Sequence, residues 1–172
     1  MISGIMAIAA GQAAPKDDPW EKWSFLIGRW TGEGGGVPGQ ATTGYFSFER
    51  DLQGKVLVRK DHSEYPAAKD HPAIVHDSLM IVFRDEKDGT IRASYFDNEG
   101  HVIPYTASIS ADGKTIEFLS DAGASSPRFR LKYMQTGAET LRITFEIAPP
   151  GSPEKFQMYV QGEMHRTAGK TM

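Results

Sequence analysis

After Gly28 the chain alternates between hydrophobic and polar residues with a period of two. Residues 130–133 (RLKY) and 141–147 (LRITFEI) show the alternation most clearly, and it predicts strands with one buried and one solvated face. Turn residues recur between such segments at Gln53-Gly54, Asp88-Gly89, Asn98-Glu99-Gly100, Asp112-Gly113, Thr136-Gly137 and Pro149-Pro150-Gly151. The predicted strands are 29–34, 41–52, 55–65, 77–84, 90–97, 101–111, 114–120, 128–135, 140–148 and 155–167.

A short helix is predicted before the first strand. Asp18 is a candidate N-cap, with proline at the next position and Glu21 three residues after it. Apolar Trp23, Leu26 and Ile27 follow at helical spacing, and Gly28 ends the run. We expect one or two turns that act as a lid or plug.

The predicted topology is a closed, ten-stranded antiparallel up-and-down β-barrel. No helical pattern separates the strands, so parallel crossover connections are not expected. Closing the sheet leaves no exposed strand edge, and a barrel of ten strands is wide enough for a ligand-sized cavity. Residues 16–172 are predicted to form this single domain.

The predicted hairpins determine which side chains point into the barrel. A two-residue turn at Asp112-Gly113 and a three-residue loop at 98–100 place one set of residues on the inner face: Ala93, Tyr95, Tyr105, Ala107, Ile109, Ile116 and Phe118. A two-residue turn at Gln53-Gly54 places Phe46, Phe48 and Leu57 inward, and Arg59 and Asp61 with them. A slip of one residue would reverse each assignment.

Composition narrows the function classes. Charged residues make up 24% of the 172 residues, and the net charge is −3. The sequence shows no basic patch, so we expect no nucleic-acid partner. The chain has no cysteine, which excludes disulfides and thiolate sites. Residues 1–15 are apolar and small, as in the remnant of a secretory signal, but lack its basic start and are too short to span a bilayer. We expect a secreted or periplasmic protein, with a cytoplasmic location as the alternative, and a monomer or homodimer.

The first predicted strand carries a recognisable motif. Gly28, Trp30, Gly32 and Gly34 match in order the Gly-x-Trp-x-Gly-x-Gly opening of the calycin-like (lipocalin-like) barrels. Nearest in pattern are the nitrobindins and a related bacterial family of largely unknown function, which the chain resembles over roughly residues 18–167. The resemblance implies that Trp30 fills the closed end and that Arg166 of the last strand packs over it, so both serve barrel closure.

The same resemblance raises heme as an alternative cofactor, because nitrobindins bind heme through a histidine of the last strand, near His165. Alternation argues against this role. It places Phe156, Met158, Val160 and Met164 inward and His165 on the outer face, unless a bulge near Gly162 changes the register.

The inward polar residues are the candidate ligand contacts. Arg59 could anchor a carboxylate, although an internal salt bridge between Arg59 and Asp61 is the simpler interpretation. Tyr95, Tyr105 and Tyr133 would bring hydroxyls to an apolar lining, or could be core aromatics.

Other chemistry has little support in the sequence. His62, His71 and His76, with Asp61, Asp70 and Asp77, lack the spacing of a zinc site and more simply form a polar rim. No nucleophile elbow or phosphate-binding loop is present, and we expect binding rather than catalysis. The predicted function is therefore the binding of a small apolar or amphipathic molecule without a cofactor. The alternatives are a nitrobindin-like heme protein acting on nitrogen oxides or peroxynitrite, and an interaction barrel with a filled interior.

Overall fold

The computed structural model describes residues 18–35, 41–67, 69 and 72–167. The strands are β1 (Gly28–Gly35), β2 (Ala41–Asp51), β3 (Val56–Tyr65), β4 (Ile74–Arg84), β5 (Ile91–Asp97), β6 (Val102–Ile109), β7 (Thr115–Ser120), β8 (Arg128–Gly137), β9 (Thr140–Ala148) and β10 (Gln157–Thr167). Short 3-10 helices lie at Glu21–Trp23 and Leu52–Gly54. The predicted signal remnant at 1–15 lies outside the described residues.

The sheet closes on itself. Each strand pairs antiparallel with its neighbours in the chain, and β1 pairs with β10, which confirms the closed ten-stranded meander. The predicted strand boundaries hold to within a few residues. The largest difference at a strand start is in β4, which begins at Ile74 rather than at residue 77 because Ile74 pairs with Tyr65 of β3.

The predicted N-terminal helix is a 3-10 helix rather than a regular α-helical turn. The Asp18 side chain accepts a hydrogen bond from the Trp20 backbone N–H (3.0 Å), and i to i+3 hydrogen bonds continue to Ile27. Residues three apart eclipse one another in a 3-10 helix. Accordingly Trp20, Trp23 and Leu26 are buried together, and they cover the barrel end at which the β2–β3 turn lies.

All three predicted hairpin registers are confirmed. Ile109 lies opposite Ile116, and Arg50 lies opposite Leu57, as turns at Asp112-Gly113 and Gln53-Gly54 require. The backbone N–H of Asp97 donates to the carbonyl of His101 (3.3 Å) across the 98–100 loop. The inward set predicted from these turns is therefore the observed one, and it includes Arg59 and Asp61.

One face assignment is wrong. The predicted inward series in the last strand was Phe156, Met158, Val160 and Met164. A bulge interrupts the pairing with β9, so that Met158 lies opposite Glu146 while Val160 lies opposite Phe145. The extra residue, Tyr159, switches the faces. Val160 and Met164 line the interior, whereas Met158 is outside and 49% exposed.

Phe156 is also outside the barrel. Its ring lies 3.9 Å from the guanidinium carbon of Arg130, which forms two hydrogen bonds to Glu146 on the outer face. A cation over the ring explains how this aromatic side chain is accommodated outside the core.

Large aromatic side chains fill the interior near the plugged end. They pack edge to face with ring centroids 5.4–6.1 Å apart and comprise Trp23, Phe46, Phe48, Phe118 and Tyr133. This half of the barrel is a packed core, and a cavity occupies the other half.

Candidate ligand-binding cavity

The cavity has a volume of about 700 Å³ and opens at the end of the barrel that carries the β3–β4 and β5–β6 connections. This volume lies within the range of small-molecule sites, roughly 300–1,000 Å³. The prediction of a ligand-sized interior space is thus met, and the alternative of a completely filled interior is not.

The two sides of the cavity differ in polarity. The apolar wall comes from β8, β9 and β10: Phe129, Leu131, Ile143, Phe145, Ile147, Val160 and Met164. The polar wall comes from β3, β4 and β5 with the β5–β6 connection: Arg59, Asp61, Ser63, His76, Ser78, Tyr95, Asp97, Glu99 and His101. Period-two alternation directs the strand residues of both walls inward. The two walls therefore differ in polarity because their residue types differ, not because their backbones do.

Arg59 and Asp61 form an ion pair on the polar wall. The Nη2 of Arg59 is 2.6 Å from Oδ1 of Asp61, and its Nη1 donates to the Ser78 hydroxyl (2.9 Å). The two charged side chains are only 7% and 14% exposed. Burial alone would lower the pKa of Arg59, but the Asp61 carboxylate outweighs it, so the pKa is raised and the guanidinium stays charged. The internal salt bridge is therefore the observed arrangement.

Tyr133 lies beneath the cavity and does not line it. It is fully buried, and its ring centroid is 5.9 Å from the Arg59 guanidinium carbon. Within the described part of the chain, neither its hydroxyl nor the Nε of Arg59 has a hydrogen-bond partner of normal geometry. Burial raises the pKa of Tyr133, which keeps the hydroxyl protonated. Tyr133 thus belongs to the floor that separates cavity from core.

Tyr95 and Tyr105 do line the cavity, with ring centroids 6.5 Å apart and edge to face. The Tyr95 hydroxyl donates to Oδ2 of Asp97 (3.2 Å) and lies 3.0 Å from Nε2 of His76. Burial raises the pKa of both tyrosines, so each presents a neutral hydroxyl.

A network of acids and histidines at the mouth was not identified from sequence as a site. Asp97 accepts hydrogen bonds from the Nδ1 of His101 (2.9 Å) and from the backbone N–H groups of His101 and Glu99 (2.9 and 3.1 Å). His76 reaches Glu99 through Nδ1 (3.1 Å). Burial raises the pKa of Asp97, but the hydrogen bonds from His101 lower it further, so the carboxylate stays ionised. The predicted 98–100 hairpin, which sets Asp97 opposite His101, was the signal that could have revealed this network.

Trp30 and Arg166 lie outside the cavity and join the two ends of the chain. The Arg166 guanidinium carbon is 4.2 Å from the Trp30 ring centroid, across the β1–β10 pair. The same guanidinium donates to the carbonyls of Phe25 (2.8 Å) and Ile27. The indole N–H of Trp30 donates to the carbonyl of Leu26 (2.9 Å), so the plug, the first strand and the last strand are held together.

His165 faces outward, as alternation predicted. Its side chain is 61% exposed and lies 3.6 Å from Glu163, because the β10 bulge is at Tyr159 and not near Gly162. A heme bound in the cavity through His165 does not fit this geometry.

The histidines near the mouth do not converge on one point. His76 lines the cavity, whereas His62 lies on the outer face between Glu64 and Asp77. Within the part of the chain that the structure describes, no three potential metal-ligating side chains come together. His71 and Asp70 lie outside the described residues.

Exposed hydrophobic side chains surround the mouth, at the ends of β4, β6 and β10: Ile74, Val75, Val102, Met158 and Tyr159. Of these, Ile74, Val102 and Tyr159 border the cavity and extend its apolar lining to the surface, whereas Val75 and Met158 do not line it. Among the described residues, no helix has the length and hydrophobicity needed to cross a membrane.

Comparison with known proteins supports the fold. No family model matches the chain, and neither does any curated protein. The S-type phycobiliprotein lyase CPES from Guillardia theta is similar in structure, with a TM-score of 0.51 and 9% identity over 91% of this chain and 100% of the lyase. At this identity the similarity shows a shared fold alone.

Two further solved structures are more distant. A fluorescence-activating β-barrel designed de novo has a TM-score of 0.43 and 8% identity over 84% of this chain and 95% of its own. EF1p2_mFAP2b bound to DFHBI has a TM-score of 0.44 and 10% identity over 85% of this chain and 97% of its own.

Proposed function

We propose that this barrel binds a small amphipathic molecule, with the apolar part against the β8–β10 wall and the polar part against the β3–β5 wall. The observation that carries the proposal is the cavity of about 700 Å³ with one apolar and one polar side. A core that served stability alone would not retain such a space, because voids cost stability.

The expected affinity follows from the surface that the cavity can cover. Burying about 200 Å² of apolar ligand surface contributes roughly 5 kcal/mol, and hydrogen bonds on the polar wall add to it. The loss of ligand freedom opposes binding, so dissociation constants on the order of micromolar are expected for a simple probe. The likeness to the lyase supports the fold on which the proposal depends, and no particular ligand.

The experiment is a titration with N-phenylnaphthylamine, a neutral fluorophore whose emission rises in apolar surroundings. Ile143→Trp places a large side chain in the cavity, and we expect it to abolish the signal. Thr144→Trp adds the same side chain at the next position, on the outer face of β9, and should leave binding unchanged. Equal binding by both variants, or none by the wild type, would refute the proposal.

Heme binding, which the family resemblance implies, can be tested with the same protein. Addition of hemin should give no Soret band that depends on His165, because that side chain is outside the barrel. Export and the choice between monomer and homodimer remain predictions from the sequence.

A further inference from the structure

The charged groups that line the cavity are unbalanced. Within the described part of the lining they are three carboxylates (Asp61, Asp97 and Glu99) and one guanidinium, Arg59, together with two histidines. With neutral histidines the lining carries two net negative charges. Like charges in a partly enclosed site repel an anionic ligand.

The single guanidinium of the described lining is already engaged. Arg59 uses Nη2 on Asp61 (2.6 Å) and Nη1 on Ser78 (2.9 Å). Its Nε is buried and has no hydrogen-bond partner among the described residues. Asp61 already neutralises this guanidinium, so an incoming carboxylate would either displace that acid or add a further negative charge beside it, and both are unfavourable.

Asp61, by contrast, retains capacity to accept. Its Oδ1 is held by Arg59, while Oδ2 has only a 3.4 Å contact with the Ser63 hydroxyl among the described residues, and the carboxylate borders the cavity. The rings of Tyr95 and Tyr105 line the same space. A carboxylate oxygen beside aromatic faces is the environment that stabilises a protonated amine.

We infer that the cavity selects amphipathic amines, with the ammonium group at Asp61 and the apolar body against the β8–β10 wall. The inference rests on the proposed function and adds the charge of the head group to it.

The test uses three probes that share one fluorophore and one alkyl chain: dansylcadaverine, which has an amine head, its alcohol analogue and its carboxylic acid analogue. Titrations at neutral pH should give the tightest binding for the amine and the weakest for the acid, with a difference of about tenfold or more in dissociation constant. High salt should reduce the difference, because it screens the charges.

Asp61→Asn should weaken amine binding and strengthen acid binding, since it removes a negative charge and leaves the positive charge of Arg59 unbalanced. Glu163→Gln removes the same charge from the outer face of β10 and should leave the order of the probes unchanged. Glu99→Gln, at the exposed rim of the cavity, is a second test that leaves the buried ion pair intact. It should also reduce the difference in dissociation constant between the amine and acid probes.

The outcomes separate the two claims. Equal binding of all three probes, or tightest binding of the acid, overturns the amine selectivity while the cavity still binds. Loss of selectivity in Glu163→Gln as large as in Asp61→Asn would also overturn it, because a surface charge would then suffice. Failure of every dansyl probe and of N-phenylnaphthylamine would overturn the proposed function itself.

Discussion

Replacing Asp61 by asparagine tests how much the buried ion pair with Arg59 contributes to stability. The substitution keeps the shape of the side chain and removes its charge. The asparagine amide oxygen can still accept from Arg59, and the Ser78 hydroxyl remains a partner, but no negative charge at position 61 balances the guanidinium any longer. Because the Arg59 side chain is only 7% exposed, water cannot easily compensate for the lost negative charge.

Breaking one partner of a buried ion pair costs about 3–5 kcal/mol. We expect the lower end, about 3 kcal/mol, because Asp61 borders the cavity and the hydrogen bond to Ser78 survives. In a domain of this size, that loss lowers the melting temperature by roughly 6–12 °C.

The assay is urea unfolding followed by tryptophan fluorescence. All three tryptophans (Trp20, Trp23 and Trp30) are buried at the plugged end, so their emission reports loss of the barrel structure. The matched control is the double variant Arg59→Met with Asp61→Leu, which removes both charges. Its free energy of unfolding should lie within about 1 kcal/mol of the wild-type value or above it, since apolar replacement of a buried ion pair is often neutral or stabilising.

Two results would refute this reasoning. One is an Asp61→Asn variant within about 0.5 kcal/mol of the wild type, which would mean that cavity water solvates Arg59. The other is a double variant whose loss of stability equals the sum of the losses measured for Arg59→Met alone and Asp61→Leu alone, which would mean that the two charges do not interact.

Two further predictions concern the closure and the outer face. Arg166→Met removes two charged hydrogen bonds to plug carbonyls and the contact with Trp30, and should lower the free energy of unfolding by about 3–4 kcal/mol. Hydrogen bonds to Glu64 and Asp77 raise the pKa of His62 above its ordinary value of about 6.5, and an NMR titration of its imidazole checks this. Because the folded-state pKa is the higher one, His62 stabilises the fold fully below about pH 6.5, and the benefit disappears as the pH rises through the folded-state pKa.

Each of these predictions has its own control. Glu139→Gln breaks only an exposed bridge to Arg166 and should cost less than about 1 kcal/mol. Equal losses for Glu139→Gln and Arg166→Met would contradict the closure argument. For His62, the free energy of unfolding of a His62→Gln variant should differ most from that of the wild type at acidic pH. A constant difference between about pH 5 and pH 9 would show that protonation has no part in it.

The fold could be predicted because short turns fix strand register. Turns at Gln53-Gly54 and Asp112-Gly113 and the 98–100 loop set the inner faces of five strands, and the apolar residues on those faces agree with them. The placement of Arg59 and Asp61 inside followed from the first of these turns.

The β10 bulge could not be predicted in the same way. The residue that it adds, Tyr159, has no glycine or proline next to it in the sequence. Simple alternation would place the apolar residues Met158 and Val160 on the same face of the strand. Only the pairing with Glu146 and Phe145 of β9 shows that they face opposite ways. A bulge depends on the neighbouring strand, so local alternation does not contain it.

The asymmetry of the interior is the strongest sign of a function. Along β3 the inner residues change from Leu57 near the plug to Arg59, Asp61 and Ser63 toward the mouth. Along β9 they stay apolar, from Leu141 through Ile143, Phe145 and Ile147. Charged inner positions reduce stability, so a chain shaped by folding alone would not retain them. The proposed amphipathic ligand, with its polar end on that side of the cavity, would account for their restriction to one wall.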